Sequence, residues 1–225
     1  MLRSVLLTLI HKTDIVLDLG AGAGIIEFLN LKGHAAKVCG VDLDSRVLQN
    51  IYLDEAKVSD GERLPYQDGE FDLVFADNVL EHLEFPVKVF NEVKRVLKPG
   101  GVFVFKTPNK THYVPLIARL TPHSFHQFVN RIRGRQAEDT FPTFYRANCR
   151  ADVRKIADQS DLKIIRLTLT EGRPEYLRIS VLTYLLGIAY ERLVNSTNLL
   201  SFGRVLMIGV LEKPVGFNSA NKEIA

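Results

Sequence analysis

The chain has little cysteine: two residues, Cys39 and Cys149, far apart and in no Cys-x-x-Cys pair. That argues against a disulfide framework or a cysteine-built zinc site and leaves two reduced thiols as the expectation. A large excess of charge is also missing. Lys and Arg number 29 against 26 Asp and Glu, a net charge of +3, too small to point to a nucleic-acid partner. Long apolar runs are absent. The longest stretch, 179–190, lies between Arg178 and Glu191 and falls well short of the roughly 20 residues that cross a bilayer. It reads as a buried or interfacial helix. The apolar start, Met1 to Ile10, has no small-residue cleavage site and is soon followed by glycines. It reads as a short helix packed on the domain, not as a leader. There are no repeats. The 225 residues suffice for one domain with a sizeable core.

What is present is a βαβα rhythm. Apolar runs mark strands at 15–19, 37–42, 71–77, 101–107, 162–170 and 205–211, with a weaker one at 52–59. Helices are predicted from about Ala23 to Leu31, from near Ser45 as N-cap, from Pro86 with an apolar face of Val89, Phe90, Val93, Val96 and Leu97, and from Arg150 to Gln159. Lys98-Pro-Gly-Gly101 should stop the third of these. Such alternation implies a mostly parallel, seven-stranded α/β sheet with helices on both faces. The rhythm loosens at 110–146 and 172–203, which read as insertions after the fifth strand and before the last.

The first strand runs into Gly20-Ala21-Gly22-Ala23-Gly24. Glycines at alternate positions allow a turn too tight for Cβ atoms, against which a nucleotide-like ligand can lie. The dinucleotide pattern GxGxxG fails, because its last position falls on Ile25 or Glu27. The Gly-Lys-Ser/Thr of a phosphate-binding loop is absent, and the loop carries no cation. The expected ligand therefore has no phosphates. Asp42 closes the second strand 22 residues after Gly20, where a carboxylate can hold a ribose diol or cap the turn that follows. Asp18 sits just before the loop and either serves the ligand or bonds loop amides.

Val16-Leu-Asp-Leu-Gly-Ala-Gly-Ala-Gly24 resembles the first motif of class I S-adenosylmethionine methyltransferases, and Gly40-Val-Asp-Leu-Asp44 their second. Asp60-Gly-Glu-Arg-Leu-Pro-Tyr66 is similar to their adenine segment, and Phe71 to Leu83 to their fourth-strand block. Arg95-Val-Leu-Lys-Pro-Gly-Gly101 and Thr107-Pro-Asn109 complete the order. The likeness covers residues 14–109 and is strongest to the small-molecule branch that includes quinone-biosynthesis enzymes. It implies a Rossmann-like fold with S-adenosyl-L-methionine as cofactor and no metal. By the resemblance, Gly20, Ala21, Gly22 and Gly24 approach the methionine part and ribose. Asp42 holds the ribose hydroxyls and Leu43 lies against adenine. Asp60 accepts from the adenine amino group while Gly61, often Ala in the family, offers its backbone. Asp77 and Asn78 face the methionine ammonium or the acceptor. Where many relatives carry closing helices, only about 14 residues precede the first strand here, so a lid is expected from elsewhere.

The resemblance implies in-line methyl transfer to a small acceptor, which needs alignment and, for a hydroxyl, a base. His82, His112 and His126 are the candidate bases, each alternatively a packing residue; Asp139, Tyr113 and Tyr145 lie with the last two in the 110–146 insertion, unranked. Arg119, Arg131, Arg133 and Arg135 are a solvated face or a contact for an anionic or membrane surface. The apolar side chains between Tyr176 and Val194 form core, a homodimer contact, an acyl-binding wall or a peripheral membrane face. The expected location is cytoplasmic or membrane-peripheral. The competing readings are a cofactor-binding scaffold without catalysis and a nucleic-acid methyltransferase. Against the latter, Asp77 is followed by Asn-Val-Leu, not Pro-Pro-aromatic.

Overall fold

The structure is a computed structural model that describes all residues except Ile26, 114–141, 172–180 and 217–225. His126, Asp139 and the run Arg119 to Arg135 lie outside the described residues. Seven strands form one sheet: β1 (Ile15–Leu19), β2 (Lys37–Asp42), β3 (Glu55–Val58), β4 (Phe71–Asp77), β5 (Leu97–Pro108), β6 (Lys163–Thr170) and β7 (Leu206–Glu212). Their order is β3-β2-β1-β4-β5-β7-β6. The first five pair in parallel, while β7 runs antiparallel to both β5 and β6. The chain leaves β1 toward one edge and returns to place β4 on the other side. The carboxyl ends of β1 and β4 therefore diverge at a topological switch point, the place where such sheets bind ligands.

Strand alternation sends Leu17, Cys39, Val74 and Phe103 to one face and Val16, Val38, Phe75 and Val104 to the other. Helices α2 (Pro86–Val96) and α3 (Arg150–Gln159) cover the first face. On α2 the buried residues Val89, Phe90, Val93 and Val96 keep helical spacing, and Phe90 meets Phe103 edge-on with centroids 5.3 Å apart. Pro86 starts α2 without costing a backbone bond. The second face is closed by α1 (Leu2–Leu9) through Leu2 and Leu6. A further helix, α4 (Val181–Ser196), precedes β7. Both cysteines are free, and burial pushes the Cys39 thiol up to about 11, which makes it inert at neutral pH.

The strands and long helices fall where the periodicity puts them; the first crossovers do not. Among the described residues of 23–31 there is no α-helix, and Glu27–Leu29 form a 3-10 turn. Gly22 and Gly24 hold φ of 57° and 73°, which a right-handed helix does not accommodate, and Ile25 and Phe28 are exposed while Leu29 and Leu31 pack on the core. The helix expected at Ser45 is likewise a 3-10 turn, Ser45–Gln49, and its cap is Asp44, which accepts from the Arg46 amide. Lys98–Gly101 is not a free loop. Gly100 N donates to Lys213 O and Lys213 N to Gly101 O, drawing the segment into the sheet. Among the described residues no helix is long and apolar enough to cross a membrane.

Candidate cofactor and acceptor site

Two cavities open at the carboxyl ends of β1 and β4. One, about 310 Å³, is lined by Asp18, the Gly20–Ile25 loop, Asn50, Tyr52 and Asp77. The other, about 410 Å³, is lined by Asp42, Leu43, Asp60, Gly61, Asn78, His82 and Phe144 among others. Gly20 and Asp77 border both. The structure thus gathers every cofactor residue expected from the sequence, from Asp18 to Asn78, onto these two cavities.

The loop has the geometry its glycines require. Gly20 sits at φ 78°, and a Cβ there would lie 2.4 Å from Val79 Cγ2. Gly22, at φ 57°, would aim its Cβ into open space, so bare backbone faces the cavity. Gly20 N and Ala21 N donate to Val41 O. The loop is also braced by Asn50, whose Nδ2 donates to Ala21 O and Gly22 O. At Gly61 a Cβ would stand 3.2 Å from Leu19 Cδ1, so alanine there needs a small shift of that side chain.

Asp42 caps the turn that follows β2 and also ties the glycine loop. Its Oδ1 accepts from Asp44 N, closing the turn, and its Oδ2 accepts from Gly22 N, holding the glycine loop. Each oxygen retains a lone pair for a ligand hydroxyl. Asp60 Oδ1 accepts from Arg63 N. Asn78 adopts φ 56° and donates its amide to Lys106 O. Burial, with the fields of Asp77 and Asp42, raises the Asp18 carboxyl well above the usual range, favouring its protonated form.

The outer wall of the second cavity is built by the stretch after β4. His82 Nδ1 lies 2.8 Å from Pro142 O. A carbonyl only accepts, so Nδ1 carries the proton and in the neutral ring Nε2 carries the lone pair. Phe144 N and Tyr145 N donate to Glu81 O, fastening residues 142–145 over the loop. Glu81 is buried, and burial raises its carboxyl above the ordinary value. It accepts from Thr107 Oγ1, which accepts from Asn148 Nδ2. Asn109 is structural, its amide bonding Phe202 O and Arg204 O. His112 lines neither cavity. It is 1% exposed, stacked at 4.1 Å on Tyr113 and 5.8 Å from Tyr190. Burial lowers its pKa to about 4, so the ring is neutral and its 3.5 Å approach to Glu171 is not an ion pair at neutral pH.

Sequence reasoning missed Asn50, Glu81 and Lys106. Glu81 lies inside the motif block, next to His82, and could have been found there. Asn50 and Lys106 carry no local signal.

Among the described residues neither cavity is lined by lysine or arginine. Carboxyls and bare backbone fit a ligand bearing hydroxyls, an ammonium and a sulfonium, and do not fit a pyrophosphate. Residues 17–105 match the family described as a methyltransferase domain. The ubiquinone biosynthesis O-methyltransferase of Thiobacillus denitrificans is 33% identical over 135 residues, 52% of this chain and 58% of that protein. A crystal structure of an S-adenosylmethionine-dependent methyltransferase from Methanosarcina mazei superposes with a TM-score of 0.60 at 17% identity, covering 94% of this chain and 98% of that one. The [4+2]-cyclase SpnF gives 0.60 at 16% identity, over 96% and 80%. The chain spans about half the length of the curated relatives it matches. The fold is shared with solved methyltransferases, and residues 17–105 carry the similarity to a methyltransferase domain.

Proposed function

We propose that the chain transfers the methyl group of S-adenosyl-L-methionine in line to a hydroxyl-bearing small molecule, with His82 as base. The observation that carries this reading is the paired cavity, joined at Gly20 and Asp77, lined among the described residues by carboxyls without lysine or arginine, and bordered by His82. The cofactor's sulfonium supplies an already activated leaving group, so the protein's task is alignment and exclusion of water. Asp42 and Asp60 hold the nucleoside, with Leu43 and Gly61 against it. The Gly20–Gly24 loop and Asp18 border the amino-acid end, where Asp77 accepts from the α-ammonium beside Asn78. His82 Nε2, oriented by the Pro142 carbonyl, takes the acceptor's proton. The relative named as an O-methyltransferase supports a hydroxyl acceptor.

In this reading the chain is one domain, with 14–109 holding cofactor and 110–146 and 172–203 enclosing the acceptor. Exposed Val181, Leu182, Leu185, Leu186 and Leu193 on α4 favour a lipid-like acceptor, a peripheral membrane contact or a homodimer contact. The second reading is a cofactor-binding scaffold with other chemistry or none, favoured by the equal likeness to a protein named as a cyclase. A nucleic-acid acceptor is the third. The test supplies methyl-labelled cofactor and cell extract to the full chain. Label in small organic-soluble molecules supports the proposal, label in RNA or DNA replaces it with the third reading, and tight binding without label in any fraction favours the second.

A further inference from the structure

Asp77 does not stand alone where the two cavities meet. It and Lys106 are register partners at the last step of the β4–β5 ladder, and Lys106 Nζ lies 2.5 Å from Asp77 Oδ1. The side chains are only 13% and 20% exposed, so solvent screens the pair weakly. Oδ1 has almost no exposed surface of its own, yet Asp77 borders both cavities while Lys106 borders neither.

The surroundings explain why a cation is needed. Asp18, Asp42 and Glu81 come in around Asp77 from β1, β2 and the turn after β4, and their mutual fields add to burial in raising the Asp18 and Glu81 carboxyls. Among the described residues Asp18 and Asp42 have no ion-pair partner, whereas Asp77 has Lys106.

We propose that Lys106 is a positioning residue for the cofactor: by pairing with Oδ1 it fixes the Asp77 carboxyl group and turns Oδ2 toward the α-ammonium of the cofactor's amino-acid part. This rests on the assignment of Asp77 to that ammonium made above. Lys106 acts through Asp77 and touches no reacting atom.

The experiment measures calorimetric binding of two probes to the full chain. S-adenosylhomocysteine carries the amino acid; 5′-methylthioadenosine keeps the nucleoside and sulfur but lacks it. Lys106→Met is expected to weaken the first by about tenfold or more, the cost of a lost charged hydrogen bond, and to leave the second within about twofold. Lys106→Arg should restore the first, and Asp77→Asn should reproduce the Met variant. Equal weakening of both probes by Lys106→Met would mean a general structural role and overturn the proposal. So would an unchanged first probe while Asp77→Asn weakens it. If Asp77→Asn leaves the first probe unchanged, the Asp77 assignment fails and the role of Lys106 falls with it.

Discussion

Asp42 shows how one side chain can serve the fold and still be open to a ligand. Its carboxylate ties the loop amide of Gly22 and the turn amide of Asp44 and still offers lone pairs to a ribose. Asp42→Ala is therefore expected to weaken S-adenosylhomocysteine binding at least about tenfold, as for loss of a charged hydrogen bond. Calorimetry reads this, and an unchanged affinity would remove the ribose assignment. Some loss of thermal stability should accompany it, since two amides lose their acceptor. His82 makes a sharper separation. His82→Gln keeps a polar side chain of similar reach but no base, so turnover should fall by about 10²–10⁴ with cofactor affinity unchanged. Equal turnover in the variant would show that the acceptor needs no base, or finds one elsewhere.

The glycine loop is an element whose backbone shape is its function. The positive φ angles of Gly20, Gly22 and Gly24 fold it flat across the end of β1, and Asn50 and Asp42 brace it from β2 and the turn beyond. Gly20→Ala must place a methyl group 2.4 Å from Val79 Cγ2 in a left-handed conformation. The conformation alone costs about 1–2 kcal/mol, and the clash adds to it. A lower melting temperature together with weakened cofactor binding is expected, and a variant that melts and binds like the parent would show the loop to be looser than described. The same loop explains why the described residues of 23–31 hold no α-helix. Two left-handed glycines at its start do not fit a right-handed helix, and Ile25 and Phe28 are exposed.

Across the sheet, the cofactor half and the far half meet through β5 and β7, and His112 is buried beside α4 with Tyr190. Its folded pKa of about 4 lies below the ordinary value near 6.5. The folded state thus binds fewer protons than the unfolded chain between these limits, and stability falls as pH drops from about 6.5 toward 4, by on the order of 3 kcal/mol in all. Below that range this histidine adds no further slope. His112→Gln should flatten that part of the acid limb in denaturation curves taken across pH, and an unchanged limb would assign it to other groups.

The long elements were legible because their cause is local. β1, β2 and β4 are apolar runs bounded by Asp and Gly, and α2 carries its stripe and its Pro86 start within its own eleven residues. The order of the candidate site residues was legible for a related reason, since Gly20, Asp42, Asp60 and Asp77 each close a strand or come just after one. Other features came from tertiary structure alone. Residues distant in the chain meet only when strands pair, as when β4 and β5 bring Lys106 to Asp77, or when a loop crosses, as when Pro142 reaches His82 from 60 positions away. The amino-acid sequence by itself determined the sheet, the glycine turn and the type of ligand it fits. The pairing of charges, the tautomer of His82 and the burial of His112 were decided by packing, because burial and counter-charge are properties of neighbours in space.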